Sequence, residues 1–403
     1  MICPAMATTA NLLKESGKPL FFRVADPDET GLKAPPPRLG TSVRTAVSSL
    51  TVMQKEALVV SSRTGLMWRL ASDEGAYLDG HDYAPCPLSF LSTGMVSSYM
   101  NEIEALAKLR GITITKLRLV QDNYYTMKGS ALKGTMTGGA KDIGLEAQIE
   151  ADADDATMQA LVYDAVAASP LNGLMRGAKE SLFTLTYNGR AVENAQALPV
   201  GGPAHPEPRD HFSAATPAPG DWSDLIQRTG VMTPQNENTA TFAGGSLAET
   251  QDRLLHVRVF ATKRPEGMKE IVQYLYNPHG TVFRYLSDEE GRAPDAESFI
   301  CAGVGFCFMT QFGRYAKISK KELSDYRIIQ DAHFSLAGAS DGTGVPGTAN
   351  PLETHCYLRS NQDDAFAQTA LDMAEQTCFL HAFCKADLKA KVRVTGFDES
   401  FAA

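Results

Sequence analysis

The chain repeats itself, and that repetition limits its possible folds more than any other feature of the sequence. Residues 87–190 lie over residues 296–399 at one offset of 209, with no gap. In that register Gly94 falls on Gly303, Ala107-Lys108 on Ala316-Lys317, and Gln121-Asp122 on Gln330-Asp331. Gly129 falls on Gly338, and Asp154-Asp155-Ala156 on Asp363-Asp364-Ala365. A register held through loops and elements alike marks a duplicated unit. Upstream, WRLASDE (Trp68 to Glu74) matches FRYLSDE (Phe283 to Glu289) at an offset of 215, so the first copy carries six extra residues between that strand and the following helix.

The chain of 403 residues suits two domains of moderate size. The expected division is an N-terminal extension (1–40), a first copy (41–194), a Pro/Gly-rich linker (195–247) and a second copy (248–403). The linker composition, ALPVGGPAHPEPRDHFSAATPAPGDW, predicts little buried apolar surface, and Pro35-Pro36-Pro37 predicts the same for the extension. Within a copy, LLHVRVFA, IVQYLYN and TVFRYLS read as antiparallel strands. A helix follows, from Ala296 to about Ile318, apolar nearly all round in its first half, a pattern that requires burial. Next come a strand (Asp325 to Phe334), a Gly-rich hairpin connection (338–347), a strand (Glu353 to Arg359) and a helix from Asp363 to Cys384. Together they predict an α+β fold in which each copy packs an antiparallel sheet on a central buried helix.

Composition narrows the function classes. A net charge of −9 argues against nucleic-acid or anionic-membrane partners, both of which need a basic face. No apolar run approaches the roughly 20 residues that span a bilayer, and the N-terminus lacks the pattern of a secretory signal. Seven scattered cysteines do not form a secreted disulfide framework. They point to a reducing cytoplasm in which any disulfide is transient and catalytic.

A single buried helix cysteine is ordinarily just a small hydrophobe. The repeat changes that weighing for Cys307 and Cys378, which fall on Ser98 and Ser169 of the first copy. A position pair that is Cys-Cys in one copy and Ser-Ser in the other is what loss of a working dithiol produces. Other constellations rank lower. Cys378-x-x-His381-x-x-Cys384 falls short of the four ligands usual for zinc, so no metal is expected. His355 and Cys356 point to opposite faces of a strand, and Cys301 and Cys307 to different sides of a helix. Cys3 and Cys86 read as incidental, and Ser98 has no nucleophile elbow around it.

The run from Glu297 to Phe308, ESFICAGVGFCF, resembles the central helix of the OsmC/Ohr family, with an acid ten residues before the reactive cysteine, a mid-helix glycine and a Phe after the cysteine. The run from Pro87 to Tyr99 resembles the same pattern, with Leu88 for the acid and Ser98 for the cysteine. Ser169-Pro170 resembles the family's second-cysteine Cys-Pro step, where the second copy has Cys378-Phe379. The resemblance implies a thiol-dependent peroxidase for organic hydroperoxides that needs no cofactor. Cys307 would become a sulfenic acid, Cys378 would condense with it, and an external thiol or dithiol would reduce the disulfide. It also implies an arginine held by Glu297 to stabilise the thiolate, with Arg284, Arg69 and Arg264 as candidates. Because the family forms intertwined dimers, this chain is expected to supply both subunits itself, as a monomeric pseudo-dimer or weak oligomer with one competent site. Two other functions stay open: a cysteine-nucleophile hydrolase or thiol-transfer enzyme, and a non-catalytic binding protein.

Overall fold

A computed structural model of the chain describes residues 10–232 and 247–400, so Cys3 and part of the expected linker lie outside the described residues. Its centre is a pair of helices, Pro87–Leu109 and Ala296–Ser319, that pack against one another and are buried over most of their length. Each begins where its sequence dictates. Pro87 occupies the first turn of one, and Asp295 caps the other by accepting a bond from the Ser298 amide at 2.7 Å. The mid-helix glycines set the crossing. A Cβ on Gly94 would stand 2.5 Å from the Ala296 carbonyl oxygen, and one on Gly303 would stand 2.8 Å from the Leu91 amide. Each helix therefore lays its first turns across the middle of the other, backbone against backbone.

Two sheets flank this pair, and neither belongs to one copy. In the first sheet, strands Phe22–Arg23, Met67–Ser72, Lys55–Ser61 and Thr41–Ser49 come from the first half. The next two, Asp325–Phe334 and Glu353–Arg359, come from the second, before Leu182–Tyr187 and Arg190–Val192 of the first half close the edge. The second sheet follows the same plan with the halves exchanged. It runs Ile226–Val231, Thr281–Ser287, Lys269–Asn277 and Thr250–Lys263, then Ile114–Ser130 and Ile143–Ala151, and ends on Ala390–Gly396. The short strand Thr137–Ala140 pairs with Ile114–Ser130 beside that path. The seams are antiparallel, pairing Arg327 with Ser48 and Thr250 with Ser130. Leu182–Tyr187 and Ala390–Gly396 join their sheets in parallel, pairing Cys356 with Leu185 and Val392 with Leu145, and Arg190–Val192 then pairs antiparallel with Leu182–Tyr187. The molecule is thus an α+β pseudo-dimer whose halves share both sheets and a continuous apolar core.

Helices Asp155–Ala168 and Asp364–Thr377 also correspond, capped by Asp154 and Asp363. The second ends earlier than its sequence predicts. Cys378 is extended (φ −72°, ψ 117°) and begins a separate helix, Phe379–Lys385. Ser169 makes the same break before the 3-10 turn Pro170–Met175. The cause is close packing from the other half. A Cβ on Gly138 would meet the Thr377 carbonyl oxygen at 2.7 Å, and one on Gly347 would meet the Ser169 carbonyl oxygen at 1.9 Å.

Two stretches expected to stay off the core do not. Leu13, Phe22, Val24 and Leu32 of the N-terminal extension are buried, and the strand Phe22–Arg23 lengthens the first sheet. The expected linker contributes the edge strand Ile226–Val231, and Trp222 packs edge-on against Trp68 with ring centroids 5.8 Å apart. Isolated large apolar residues between prolines find partners on a sheet face that would otherwise be wet. Among the described residues no helix is long and apolar enough to cross a membrane.

The crossing predicts the sign of a glycine substitution. Alanine in place of a mid-helix glycine ordinarily stabilises by about 1 kcal/mol. Gly94→Ala is expected instead to destabilise by about 1–3 kcal/mol through overpacking, read as a lower urea midpoint.

Candidate functional site

Cys307 lies midway along Ala296–Ser319 and is 2% exposed, whereas Cys378 sits at the helix break and is fully buried. The structure brings them together: Cys378 is close enough to act on the Cys307 thiol, and Cys378 Sγ accepts from the His381 amide at 3.5 Å. On the other side of the molecule Ser98 Oγ and Ser169 Oγ stand 2.7 Å apart. The duplicated positions thus form one side-chain pair in each half, thiol–thiol in one and hydroxyl–hydroxyl in the other. All six described cysteines are unpaired thiols.

The surroundings of the two pairs differ sharply. Cys307 opens on a cavity of about 30 Å³, room for one or two waters. Glu74, Tyr77, Leu78, Cys86 and Leu88 of the first half line it, with Arg253, Pro278, Thr310, Gln311 and Arg314 of the second. The six extra residues of the first copy place Tyr77 and Leu78 over this cavity. Ser98 opens on a cleft of about 730 Å³ lined by Arg63, Glu102, Glu289 and Glu297 among others. The two spaces are pseudo-symmetric. Glu289 corresponds to Glu74, Arg63 to Pro278 and Glu297 to Leu88 under the repeat offsets. Even the supporting bonds repeat, with Asn101 donating to Glu289 at 2.8 Å and Thr310 to Glu74 at 3.0 Å.

Glu297 is therefore not beside Cys307. Ten helical residues separate them by about 15 Å of rise, and the helix crossing carries Glu297 to the other half's serine pair. There it does face an arginine, Arg63, together with Glu289 and Asp295, and Thr41 donates to its carboxylate at 3.3 Å. Burial pushes its carboxyl up to about 8 despite Arg63. None of the three expected arginines lines the cysteine cavity. Arg69 is engaged by Glu56 and by the Pro19 and Leu20 carbonyls. Arg264 pairs with Asp224 and Glu270, and Arg284 with Asp224. All three face the edges of their meanders, where carboxylates neutralise them.

The cations near Cys307 are ones that sequence reasoning did not single out. Arg253 and Arg314 line its cavity, and burial lowers them to about 10 and about 9. Lys55, fully buried on the strand Lys55–Ser61, donates to the Met53 carbonyl at 2.8 Å. Burial lowers it to about 8, against the pull of Glu74, Asp73 and Cys307. Lys55 opens its strand between Gln54 and Glu56, so its sequence surroundings gave no signal of burial. Burial, then the neighbouring Cys378, holds the Cys307 thiol well above its ordinary value. Cys86, which reads as incidental in sequence, lines the same cavity, its thiol pushed up to about 12.

Cys378, His381 and Cys384 are all buried, but His381 packs against the Phe308 and Phe183 rings and its ring nitrogens make no hydrogen bond. Burial lowers it to about 4, so it is a neutral core residue. No three His, Cys, Asp or Glu side chains cluster closely enough to hold a metal among the described residues.

Residues 288–393 match a family model described as OsmC-like protein. That span holds the second central helix and both Cys307 and Cys378. Among solved structures, an OsmC-like hydroperoxide resistance protein from Jannaschia sp. CCS1 is 23% identical, over 28% of this chain and 75% of that one. Its TM-score of 0.19 is too low to support structural inference. No curated protein matches the chain.

The paired geometry has a direct test. The double variant Ser98→Cys/Ser169→Cys is expected to form a new disulfide under mild oxidation. Intact-mass analysis would then show two more hydrogens lost than the parent protein loses.

Proposed function

From an OsmC-like domain at residues 288–393, we propose that this chain is a thiol-dependent peroxidase with one dithiol site, Cys307 and Cys378, acting on small organic hydroperoxides. The observation that carries this reading is the Cys307 thiol, next to Cys378, opening on a mostly apolar cavity that two guanidinium groups also line.

The steps balance without a cofactor. The Cys307 thiolate attacks the hydroperoxide oxygen. An S–O bond forms, the O–O bond breaks, and the departing alkoxide takes a proton to leave as the alcohol. The Cys378 thiol then attacks the sulfenic sulfur, forming the disulfide and releasing water. An external thiol or dithiol restores both thiols and is itself oxidised. Lys55, Arg253 and Arg314 take the role assigned in sequence to Arg284, Arg69 or Arg264, because a buried thiolate needs nearby positive charge. Glu297 has no place in this chemistry. Substrate entry requires the Ala76–Leu78 turn to move off the cavity. Since each half completes the other's site, one chain is sufficient for catalysis, and we place it in the cytoplasm.

The replacement of the acid and arginine by Leu88 and Pro278 favours a second reading, thiol transfer or hydrolysis at carbon by the same Cys307. A substrate adduct trapped on Cys307 would single it out.

Turnover of cumene hydroperoxide with dithiothreitol is expected for the parent chain and is expected to vanish in Cys307→Ser; retained activity in that variant rejects the peroxidase reading. Because the thiol is held high, the thiolate fraction climbs about tenfold per pH unit below its pKa. The rate of Cys307 oxidation should therefore rise from about pH 6 to about pH 8, and climb less steeply above that as Lys55, lowered to about 8, loses its charge. Lys55→Met should slow it about tenfold at fixed pH, by removing roughly one pKa unit of thiolate stabilisation.

A further inference from the structure

The serine side keeps a cleft large enough for a ligand, and its charges do not balance. Five carboxyl groups line it, those of Glu102, Glu104, Glu289, Glu297 and Asp341, against three cations, Arg63, Lys108 and Lys263. Two of the cations are already committed. Lys263 holds Glu104 at 2.9 Å, and Arg63 holds Glu289 and lies 3.6 Å from Asp295 behind it, while Lys269, outside the cleft wall, lies 3.9 Å from Glu289. The third, Lys108, extends into solvent. Glu297 is 5% exposed and, among the described residues, has a single hydrogen bond, the 3.3 Å one from Thr41. Glu102 is 1% exposed and, among the described residues, is met only by neutral donors, the Ala339 and Ser340 amides and the Ser340 hydroxyl. Between these acids the wall is apolar, formed by Ile112, Ile114, Pro170 and Leu171. Buried carboxyls facing a cleft without full compensation are costly unless a cation reaches them.

We propose that this cleft, the counterpart of the dithiol site, binds a small organic amine. The ammonium group lies between Glu297 and Glu102, and the hydrocarbon rests on Leu171 and the Ile112–Ile114 wall. No covalent step is involved, and Ser98 and Ser169, bonded to each other, remain spectators. The site is independent of the peroxidase reading, because it contains neither Cys307 nor Cys378.

Binding should depend on pH in a defined direction. The groups facing Glu297 are Arg63, Glu289, Asp295 and Thr41, with Lys263 farther along the cleft. Together with burial they hold its carboxyl at about 8, so below that pH an incoming ammonium must displace a proton. Amine affinity should therefore strengthen from about pH 6 to about pH 8 and then level off, while the amine itself stays charged.

The test is calorimetric titration of the full chain with hexylamine, hexanol and hexanoate. Hexylamine is expected to bind at least about tenfold tighter than hexanol, the value of one charge-assisted contact, and hexanoate not to bind. Glu297→Gln, nearly isosteric, should cut hexylamine affinity about tenfold and flatten the pH dependence to what Glu102, itself raised by burial, contributes, and Glu102→Gln should weaken binding independently. Equal binding of hexylamine and hexanol, preference for hexanoate, or no binding of hexylamine overturns the proposal. So does hexylamine affinity unchanged in both variants.

Discussion

Two glycines, one in the middle of each central helix, decide how this molecule is arranged. With no side chain at Gly94 or Gly303, the first turns of each helix lie directly on the backbone of the other. That contact fixes which residues share a site. A side chain in the first turn of one helix lies beside the mid-helix residue of its partner, not beside the mid-helix residue of its own chain segment. The exchange of strands between the sheets follows the same logic, because each half's inner strands must cover the other half's helix. Once the halves interlock this way, neither copy can complete a site alone.

Duplication then permits the two sites to diverge. In a symmetric dimer every substitution appears in both sites, whereas in a fused chain each position is free to change once. On one side the cysteine pair is kept, while Leu88 and Pro278 stand where the other side has Glu297 and Arg63. The other side has the acid and the arginine, with hydroxyls at the positions of the two thiols. The insertion carrying Tyr77 and Leu78 reinforces the split, since it fills one space and has no counterpart over the other. A closed apolar pocket and an open acidic cleft result from nearly the same backbone.

Much of this was legible in the residues. The repeat register, the two central helices, the strand Asp325–Phe334 and the Cys307/Cys378 pairing against Ser98/Ser169 all follow from local pattern and spacing. The partner of Glu297 did not, although the rise of a helix already excludes contact with Cys307 ten residues on. What was missing is the crossing, which depends on contact between segments far apart in sequence. The arginines failed for a related reason. Arg69 and Arg284 lie at corresponding repeat positions, but their correspondence reflects similar meander edges rather than a shared site. Lys55 was hidden because it stands between Gln54 and Glu56, and Arg314 because a charge inside an apolar pattern reads as an interruption until the cavity it faces is known. The ends of the buried segments were misjudged because proline-rich composition says little about where one tryptophan or phenylalanine will dock.

The most direct measurement is peptide mapping of the protein after one equivalent of cumene hydroperoxide, with thiols blocked by alkylation before digestion. The account predicts a single new cross-link joining the Cys307 and Cys378 peptides, with Cys86, Cys301, Cys356 and Cys384 recovered as alkylated thiols. Recovery of Cys307 and Cys378 as unoxidised thiols, or a cross-link that leaves out either of them, would contradict it.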